Sequence, residues 1–217
     1  MIVQDLLDLL TNLKPTMEAW ITEYQTTTYF ILALIIFCET GLIALPFLPG
    51  DSLLFTAGLL CKTLGVLNIW ILIPLLFFAA ILGDNTNYFV GKFFGEKVFE
   101  NKWLKKIVKR EYLDKTHLFF EKHGGKTIIM ARFVPIVRTF APFAAGIGKM
   151  NYAKYITFCV VGGLAWVSGL TLLGYFLAEN EFINANYEKV ILGIVLLSVL
   201  PILISFVKSK FTKEKAL

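Results

Sequence analysis

Two broken apolar stretches decide the fold of this chain of 217 residues. One is ARFVPIVRTFAPFAAGIG at residues 131–148, and the other is PFLPGDSLLFTAG at residues 46–58. Both are apolar, yet proline, glycine and charged residues interrupt them. Proline removes a helical hydrogen bond and clashes with the preceding turn. Each stretch is therefore too interrupted for a straight membrane-spanning helix and too apolar for a loop in water.

A helical hairpin that enters and leaves the membrane on the same side satisfies both constraints. Such a segment is tolerated at membrane depth only where protein buries it or where it lines a cavity. We therefore predict two re-entrant hairpins, at residues 46–62 and 127–150. Paired broken segments in two halves predict an inverted repeat and point to a transporter site. Two pairs of short segments support the repeat: FTAG at 55–58 with FAAG at 143–146, and GKFFGE at 91–96 with GYFLAE at 174–179.

The composition excludes a soluble globular enzyme. Hydrophobic residues make up 57% of the chain and charged residues 17%, whereas a soluble domain has about 45–50% and about 25%. One core of this size cannot bury such a surplus, so lipid is the natural solvent for it. The prediction is an all-α polytopic membrane protein with about four transmembrane helices, two opposed re-entrant hairpins and interfacial amphipathic helices. The apolar runs place the four helices roughly at residues 28–45, 63–83, 155–178 and 190–207.

The basic residues predict the topology. Ten of the 21 lysines and arginines lie in the linker at residues 92–126, and four more lie in the tail at residues 208–217. Basic clusters beside apolar segments normally stay cytoplasmic, which places the linker and both termini inside and lets the hairpins enter from opposite faces. Residues 1–27 are predicted to form an amphipathic interfacial helix, and residues 28–217 a single membrane domain. Acidic residues interleave with the basic linker, so nucleic acid is not a predicted partner.

Four charged residues fall within the apolar segments: Glu39, Asp51, Arg132 and Arg138. Each costs about 2.5–3.5 kcal/mol at the centre of a membrane helix, so they must pair, line a wet cavity or lie near the interface. Arginine matches phosphate oxygens with its planar fork, and the two arginines are interpreted as a phosphate-binding site. Buried carboxylates exchange protons near neutral pH, so the two acids are interpreted as the site of a coupling proton or other monovalent cation. The alternative is architectural, with two arginine–carboxylate pairs that only hold the hairpins together.

Other candidates are less specific. Asp84 follows the second apolar run, and two interpretations stay open: a helix-end polar cluster near the headgroups, or a role in the cavity. Cys38, Cys61 and Cys159 are interpreted as small apolar side chains. The histidines lack the spacing of a helical zinc pair, and neither a metal nor a cofactor is predicted. The remaining cavity or structural candidates are Asn87, Tyr88, Pro49, Gly50, Pro135, Pro142 and Gly146.

Several of these motifs together resemble one family of membrane proteins, the DedA family, also called SNARE-associated or VTT-domain proteins. The resemblance runs from about residue 28 to about residue 207, in the order and spacing of that family, and is nearest to its bacterial branch. The motifs that carry it are FCETG at 37–41, PFLPGDSLLF at 46–55, GDNTNY at 83–88, KHGGK at 122–126 and ARFVPIVRTFAP at 131–142.

The resemblance implies facing re-entrant hairpins and a lipid-translocation role in the bacterial inner membrane. Relatives are linked to recycling of undecaprenyl phosphate, to movement of phosphatidylethanolamine and to phospholipid scrambling. The acidic and arginine positions important in the family fall on Glu39, Asp51, Arg132 and Arg138, and dependence on the proton motive force is associated with them. We therefore expect a lipid flippase rather than an enzyme. A proton-coupled ion or drug antiporter and a lipid- or protein-binding scaffold remain alternatives, and a homo-oligomer is left open.

Overall fold

The computed structural model describes residues 12–42, 50–100, 118, 124–194 and 196. Within these ranges every regular element is helical. Residues 187–194 are also helical. The helices are α1 (Leu13–Tyr24), α2 (Thr27–Gly41), α3 (Gly50–Leu64), α4 (Ile69–Glu100), α5 (Lys126–Ala131), α6 (Pro135–Ile147), α7 (Tyr152–Leu177) and α8 (Glu181–Ala185).

Two helices are long and apolar enough to cross a membrane, at Ile69–Phe94 within α4 and at Tyr152–Leu177. Each has 26 residues, which at 1.5 Å per residue gives ~39 Å, more than the ~30 Å of hydrocarbon in a bilayer. Helix α2 is apolar but has 15 residues. Large apolar side chains such as Phe78 on α4 and Phe176 on α7 stay exposed on the protein surface, as lipid-facing residues do.

The second span differs from the predicted residues 63–83. Gly65 has a positive φ of 66°, a conformation that glycine adopts without steric cost, and α3 ends just before it. Asn68 then caps α4, because its side-chain Oδ1 accepts the backbone N–H of Trp70 at 2.9 Å. The residues between these two signals form a turn, so the span starts at Ile69. The helix that contains this span continues to Glu100 instead of stopping at Gly83.

Parts of the predicted architecture lie outside the described residues. They include most of the linker at residues 92–126, the tail at residues 208–217, and Pro49. The predicted fourth span, at residues 190–207, is described only as far as residues 194 and 196. Of the N-terminal segment, α1 is described, and it buries Leu13, Met17 and Ile21 on one face.

Glycines bring the backbones of four helices into close contact at two crossings. At the first, Gly58 of α3 lies against the backbone of Thr171 on α7, and Gly174 of α7 lies against Phe55. At the second, Gly146 of α6 lies against the backbone of Tyr88 on α4, and Gly91 of α4 lies against Phe143. A Cβ atom at any of these glycines would overlap backbone atoms. Each broken apolar stretch thus packs against the membrane-length helix of the other half of the chain.

The buried apolar residues form two clusters. The larger joins α1, α2, α3, α4 and α7, and the smaller joins α4, α5, α6 and α7. A buried acid contacts each cluster: Asp51 contacts Trp166 of the larger one, and Asp84 contacts Cys159 of the smaller one.

Candidate functional site

Five charged side chains are buried in the described part of the chain, and each comes from a different place in the fold. Each is 9% exposed or less. The four that the sequence singled out are among them, together with Asp84. They are Glu39 near the end of α2, Asp51 in the first turn of α3, Asp84 within α4, Arg132 just after α5, and Arg138 in the first turn of α6.

Pro135 positions the two arginines by breaking the helix between them. The residue before a proline avoids helical backbone angles, and Val134 is extended, with φ −127° and ψ 104°. Pro135 then starts α6, where its missing N–H costs nothing. The predicted break therefore lies at Arg132–Val134. Pro142 lies inside α6 and does not end it, so only the first proline interrupts the helix.

Arg138 is held by two carboxylates from two other helices. Its Nη2 atom donates to Oε1 of Glu39, and its Nη1 atom donates to Oδ1 of Asp51 at 2.6 Å. The guanidinium fork thereby joins α2, α3 and α6 in one ion-pair network. Glu39 also lies against Gly50, where a Cβ atom would overlap its carboxylate. The fold thus brings together four residues that were singled out from the sequence: Glu39, Gly50, Asp51 and Arg138.

Trp166 of α7 completes this network and was not predicted from the sequence. Its Nε1 atom donates to Oδ1 of Asp51 at 2.7 Å. The guanidinium carbon of Arg138 lies 4.3 Å from the centroid of the tryptophan ring, a cation–π distance. The available signal was a tryptophan in the middle of an uncharged span, because a buried indole N–H needs an acceptor.

Arg132 pairs with Asp84, whereas the architectural alternative expected pairing with Glu39 or Asp51. Its Nη2 atom donates to Oδ2 of Asp84 and to the sulfur of Cys159, at 3.2 Å from the sulfur. The hydroxyl of Tyr155 donates to the backbone carbonyl of Asp84 at 2.9 Å. Asp84 is therefore a buried partner inside a long helix rather than a residue in a helix-end cluster near the headgroups. Cys159 likewise has polar contacts, contrary to the interpretation as an apolar side chain.

Asn87 and Tyr88 support the site from the next turn of α4. The Nδ2 atom of Asn87 donates to the carbonyl of Thr40 at 2.5 Å and lies 3.4 Å from that of Thr139. The hydroxyl of Tyr88 donates to the carbonyl of Met150 at 2.6 Å, and its ring stacks on Tyr155 with centroids 4.3 Å apart. Both residues tie the broken segment to the long helix, so their observed contacts are structural.

Some guanidinium nitrogens can still donate a hydrogen bond. Among the described residues, Nε and Nη1 of Arg132 and Nε of Arg138 have no hydrogen-bond partner. Guanidinium has five donors and no acceptor, so these atoms can donate only to an anion or another oxygen. The arrangement is suited to binding an oxyanion in competition with the carboxylates.

An apolar groove of about 390 Å³ opens beside the helix break that carries Arg132. Its lining is almost entirely aliphatic or aromatic, and Met130, Phe133 and Val137 are exposed along it. A groove of this character accommodates hydrocarbon. The lining residues are Thr127, Met130, Ala131, Phe133, Val134 and Val137.

The described residues contain no group of three or more His, Cys, Asp or Glu side chains arranged to hold a metal ion. The expectation that the protein uses neither a metal nor a cofactor stays a prediction. The charged groups that the site offers are two guanidiniums and three carboxylates, in an apolar surrounding.

The fold and the site together define a class: an all-helical membrane protein with a charged network buried between its helices. Residues 48–176 match the VTT domain, which includes all of these buried charges except Glu39. The chain belongs to the DedA family of membrane proteins, as its motifs predicted. No solved structure matches the chain.

Curated relatives cover nearly the whole chain. It is 48% identical to the protein DedA of Escherichia coli (strain K12) over 212 residues, which is 97% of this chain and 96% of that protein. It is 34% identical to the inner membrane protein YqjA of the same strain over 199 residues, 88% of each chain. An uncharacterised membrane protein of Mycobacterium leprae is 48% identical over 171 residues, 79% of this chain and 76% of that one. These relatives support a membrane location.

Proposed function

We propose that this protein is a transporter that moves a lipid phosphate, undecaprenyl phosphate in the first instance, across the bacterial inner membrane. Arg132 and Arg138 bind the phosphate, and protonation of a buried carboxylate accompanies the transport step. The observation that carries the proposal is the binding of Arg138 by two carboxylates, Glu39 and Asp51, from two other helices. The positive charge and the planar geometry of the Arg138 guanidinium suit a phosphate. Because the site is buried, a phosphate must take the place of a carboxylate there.

The contacts of α5 and α6 support a re-entrant hairpin. Near the start of α5, Gly125 lies against Phe158, and at its end Arg132 lies against Gly163, so α5 runs in the direction of α7. The chain then turns at the break and comes back. Its return is marked by Met150, which accepts a hydrogen bond from Tyr88. Since Tyr88 stacks on Tyr155, the segment leaves at the level where it entered.

The two glycine crossings support the inverted repeat. Residues 58 and 146 are 88 positions apart, and residues 88 and 171 are 83 positions apart. The contact of Gly58 with Thr171 therefore corresponds to the contact of Gly146 with Tyr88, because the same two offsets relate the partners. Gly174 with Phe55 corresponds to Gly91 with Phe143 in the same way. Two related crossings with exchanged partners are expected of a transporter built from two inverted halves.

Phosphate and carboxylate compete for the same guanidinium donors. When a phosphate oxygen binds Arg138, Glu39 or Asp51 loses its partner in an apolar surrounding. An unpaired buried carboxylate costs several kcal/mol, so the displaced acid takes up a proton instead. Loss of the phosphate restores the original ion pair and releases the proton. Lipid movement is thereby coupled to proton movement, without any covalent chemistry.

The groove beside Arg132 supports a lipid over a soluble anion. It is apolar, it opens to the protein surface, and it lies beside the helix break that carries Arg132. A lipid tail in this groove stays in contact with hydrocarbon while its headgroup reaches the charged centre. A monoester phosphate carries up to two negative charges at neutral pH, which suits two guanidiniums better than the single charge of a phosphodiester.

The test is a proteoliposome assay in which purified protein moves undecaprenyl phosphate or phosphatidylethanolamine between leaflets. Arg132→Ala and Arg138→Ala should each abolish movement of the phosphate lipid. Lys154→Ala, which removes an exposed cation, should leave it unchanged and serves as the matched control. Undiminished movement in the arginine variants would remove the arginines from the mechanism. Equal or faster movement of phosphatidylethanolamine would assign the protein to the phospholipid flippases or scramblases.

A second candidate is a proton-coupled ion or drug antiporter. The specific observation in its favour is that both arginines are already neutralised by carboxylates, as structural arginines would be. In that case Glu39 and Asp51 bind the transported cation or proton. Uptake of a soluble cation against a pH gradient, in liposomes without the phosphate lipid, would favour this function over the first.

A further inference from the structure

We propose that Trp166 makes the two carboxylates that bind Arg138 unequal, so that Asp51 remains the permanent counter-ion and Glu39 carries the exchangeable proton. The use of this proton in transport rests on the proposed function. Its location on Glu39 does not. It assigns a positioning role to a residue of α7 that neither broken segment contains.

Asp51 is the more strongly bound of the two acids. Its Oδ1 atom accepts both Nη1 of Arg138 at 2.6 Å and Nε1 of Trp166 at 2.7 Å. Hydrogen bonds that converge on a carboxylate favour its charged form. The indole N–H is a donor only and needs an acceptor when it is buried, so displacement of Asp51 would also leave Trp166 without its bond.

Glu39 has fewer partners. Its Oε1 atom accepts one side-chain donor, Nη2 of Arg138. Its Oε2 atom lies against Gly50 and receives no side-chain donor within the described ranges. The other charged groups that act on Glu39 are both acids, Asp51 and Asp84. Neutralisation of Glu39 therefore relieves this repulsion and loosens its bonds to Arg138 and to the backbone of Gly50.

Arg138 tolerates the loss of Glu39 better than the loss of Asp51. After Glu39 is protonated, the guanidinium still binds Asp51 and still lies 4.3 Å from the centroid of the Trp166 ring. The face of an indole attracts a cation, and the attraction is strongest in a desolvated site. Arg138 thus keeps two partners while its Nη2 atom is freed for a phosphate oxygen.

The charge count allows the network to take up one proton. Three buried carboxylates (Glu39, Asp51 and Asp84) and two guanidiniums (Arg132 and Arg138) sum to a formal charge of −1 in the described residues. A net charge buried among apolar helices is costly. One proton on a Glu39 oxygen brings the sum to zero. The proton comes from water and is returned to water, and only its bond to the carboxylate forms and breaks.

Infrared spectroscopy of the full chain in lipid nanodiscs tests the protonation of Glu39 without a transport assay. A protonated carboxyl group gives a carbonyl stretch that disappears when it ionises, and a carbon isotope in that carboxyl moves the band. During a pH titration above about pH 5, where exposed carboxyl groups are ionised, protein made by cell-free synthesis with side-chain-labelled glutamate should show a shifted band, whereas labelled aspartate should leave it in place. A band that moves with aspartate alone would overturn the assignment to Glu39.

The part played by Trp166 is tested with Trp166→Phe, which keeps an aromatic face for Arg138 and removes the N–H donor. Labelled aspartate should now shift part of the band, because Asp51 shares the proton. The matched control is Trp70→Phe, at a residue that is 79% exposed, and it should behave as the wild type does. A band that still moves only with glutamate in Trp166→Phe would show that Trp166 does not set the difference.

Failure of this inference can be distinguished from failure of the proposed function. A glutamate band without any lipid movement in liposomes would reject lipid transport and keep the proton on Glu39. Lipid movement with an aspartate band would keep transport and reject the inference. The wild-type measurement needs no substitution, so it remains decisive if Trp166→Phe does not fold.

Discussion

The guanidinium of Arg138 lies on the carboxylate of Asp51, with Nη1 and Oδ1 2.6 Å apart, although the two residues are 87 positions apart in the chain. This contact joins the first turns of α3 and α6, which begin at Gly50 and Pro135. The two helices therefore meet at one ion pair, where each half of the chain would sense a conformational change of the other.

Removal of Arg138 should destabilise the protein more than removal of its whole network. Arg138→Ala leaves two carboxylates buried without a counter-ion, and breaking a buried pair in this way costs about 3–5 kcal/mol. The triple variant Arg138→Ala, Glu39→Gln, Asp51→Asn contains no unpaired charge there and should recover most of that loss. Thermal unfolding in detergent measures both. A triple variant less stable than the single one would contradict the network described here.

Arg132 and Asp84 should be energetically coupled. A double-mutant cycle with Arg132→Met and Asp84→Leu should give an interaction energy within about 0.5–3 kcal/mol, as for residues in direct contact. The comparison cycle pairs Arg132→Met with Glu39→Gln, which share no hydrogen bond, and its coupling should be smaller. Equal coupling in both cycles, measured from unfolding midpoints, would mean that the observed pairing is not the one that matters for stability.

The close helix crossings should not tolerate a methyl group. Gly146→Ala and Gly58→Ala both place a Cβ atom on a neighbouring backbone, and such overpacking typically costs about 1–3 kcal/mol. Gly169 is the matched control, since it also lies in a helix but has nothing within 4 Å of a Cβ position. Gly169→Ala should be neutral or stabilising, by up to about 1 kcal/mol. The same loss at all three positions would reject the proposed crossings.

Filling the groove beside Arg132 should block lipid movement and leave stability unchanged. Val137→Trp places a large ring in the groove that Val137 lines, where it occupies the path of a lipid tail. Val161→Trp, at an exposed position on α7, is the control for a large residue on the lipid-facing surface. The expected result is lost transport only in the first variant, with unfolding temperatures close to that of the wild type. Full transport by Val137→Trp would place the tail elsewhere.

The helix break and the charged residues follow directly from the sequence. Pro135 predicts an interruption because proline excludes helical angles from its predecessor, and that interruption lies at Val134. Local chemistry of this kind needs no knowledge of the rest of the chain. The start of the second span was predicted wrongly because the prediction followed hydropathy alone. Two local signals were available: Gly65 ends one helix, and Asn68 starts the next.

The pairing of charges could not be predicted in the same way. Arg132 meets Asp84, 48 positions away, and Arg138 meets Glu39, 99 positions away. Composition and spacing show that buried charges must find partners, but the packing of helices decides which carboxylate faces which guanidinium. The role of Trp166 could not be predicted for the same reason, because it depends on the approach of α3 and α6 to one point on α7.

The most direct test of the central claim, that the arginines exchange carboxylates for a lipid phosphate, is native mass spectrometry of the purified full-length protein with its bound lipid. The account predicts that the wild type retains a polyprenyl phosphate, that Arg138→Ala loses it, and that Lys154→Ala keeps it. Retention of the same lipid by Arg138→Ala and Arg132→Ala at wild-type level would contradict the account.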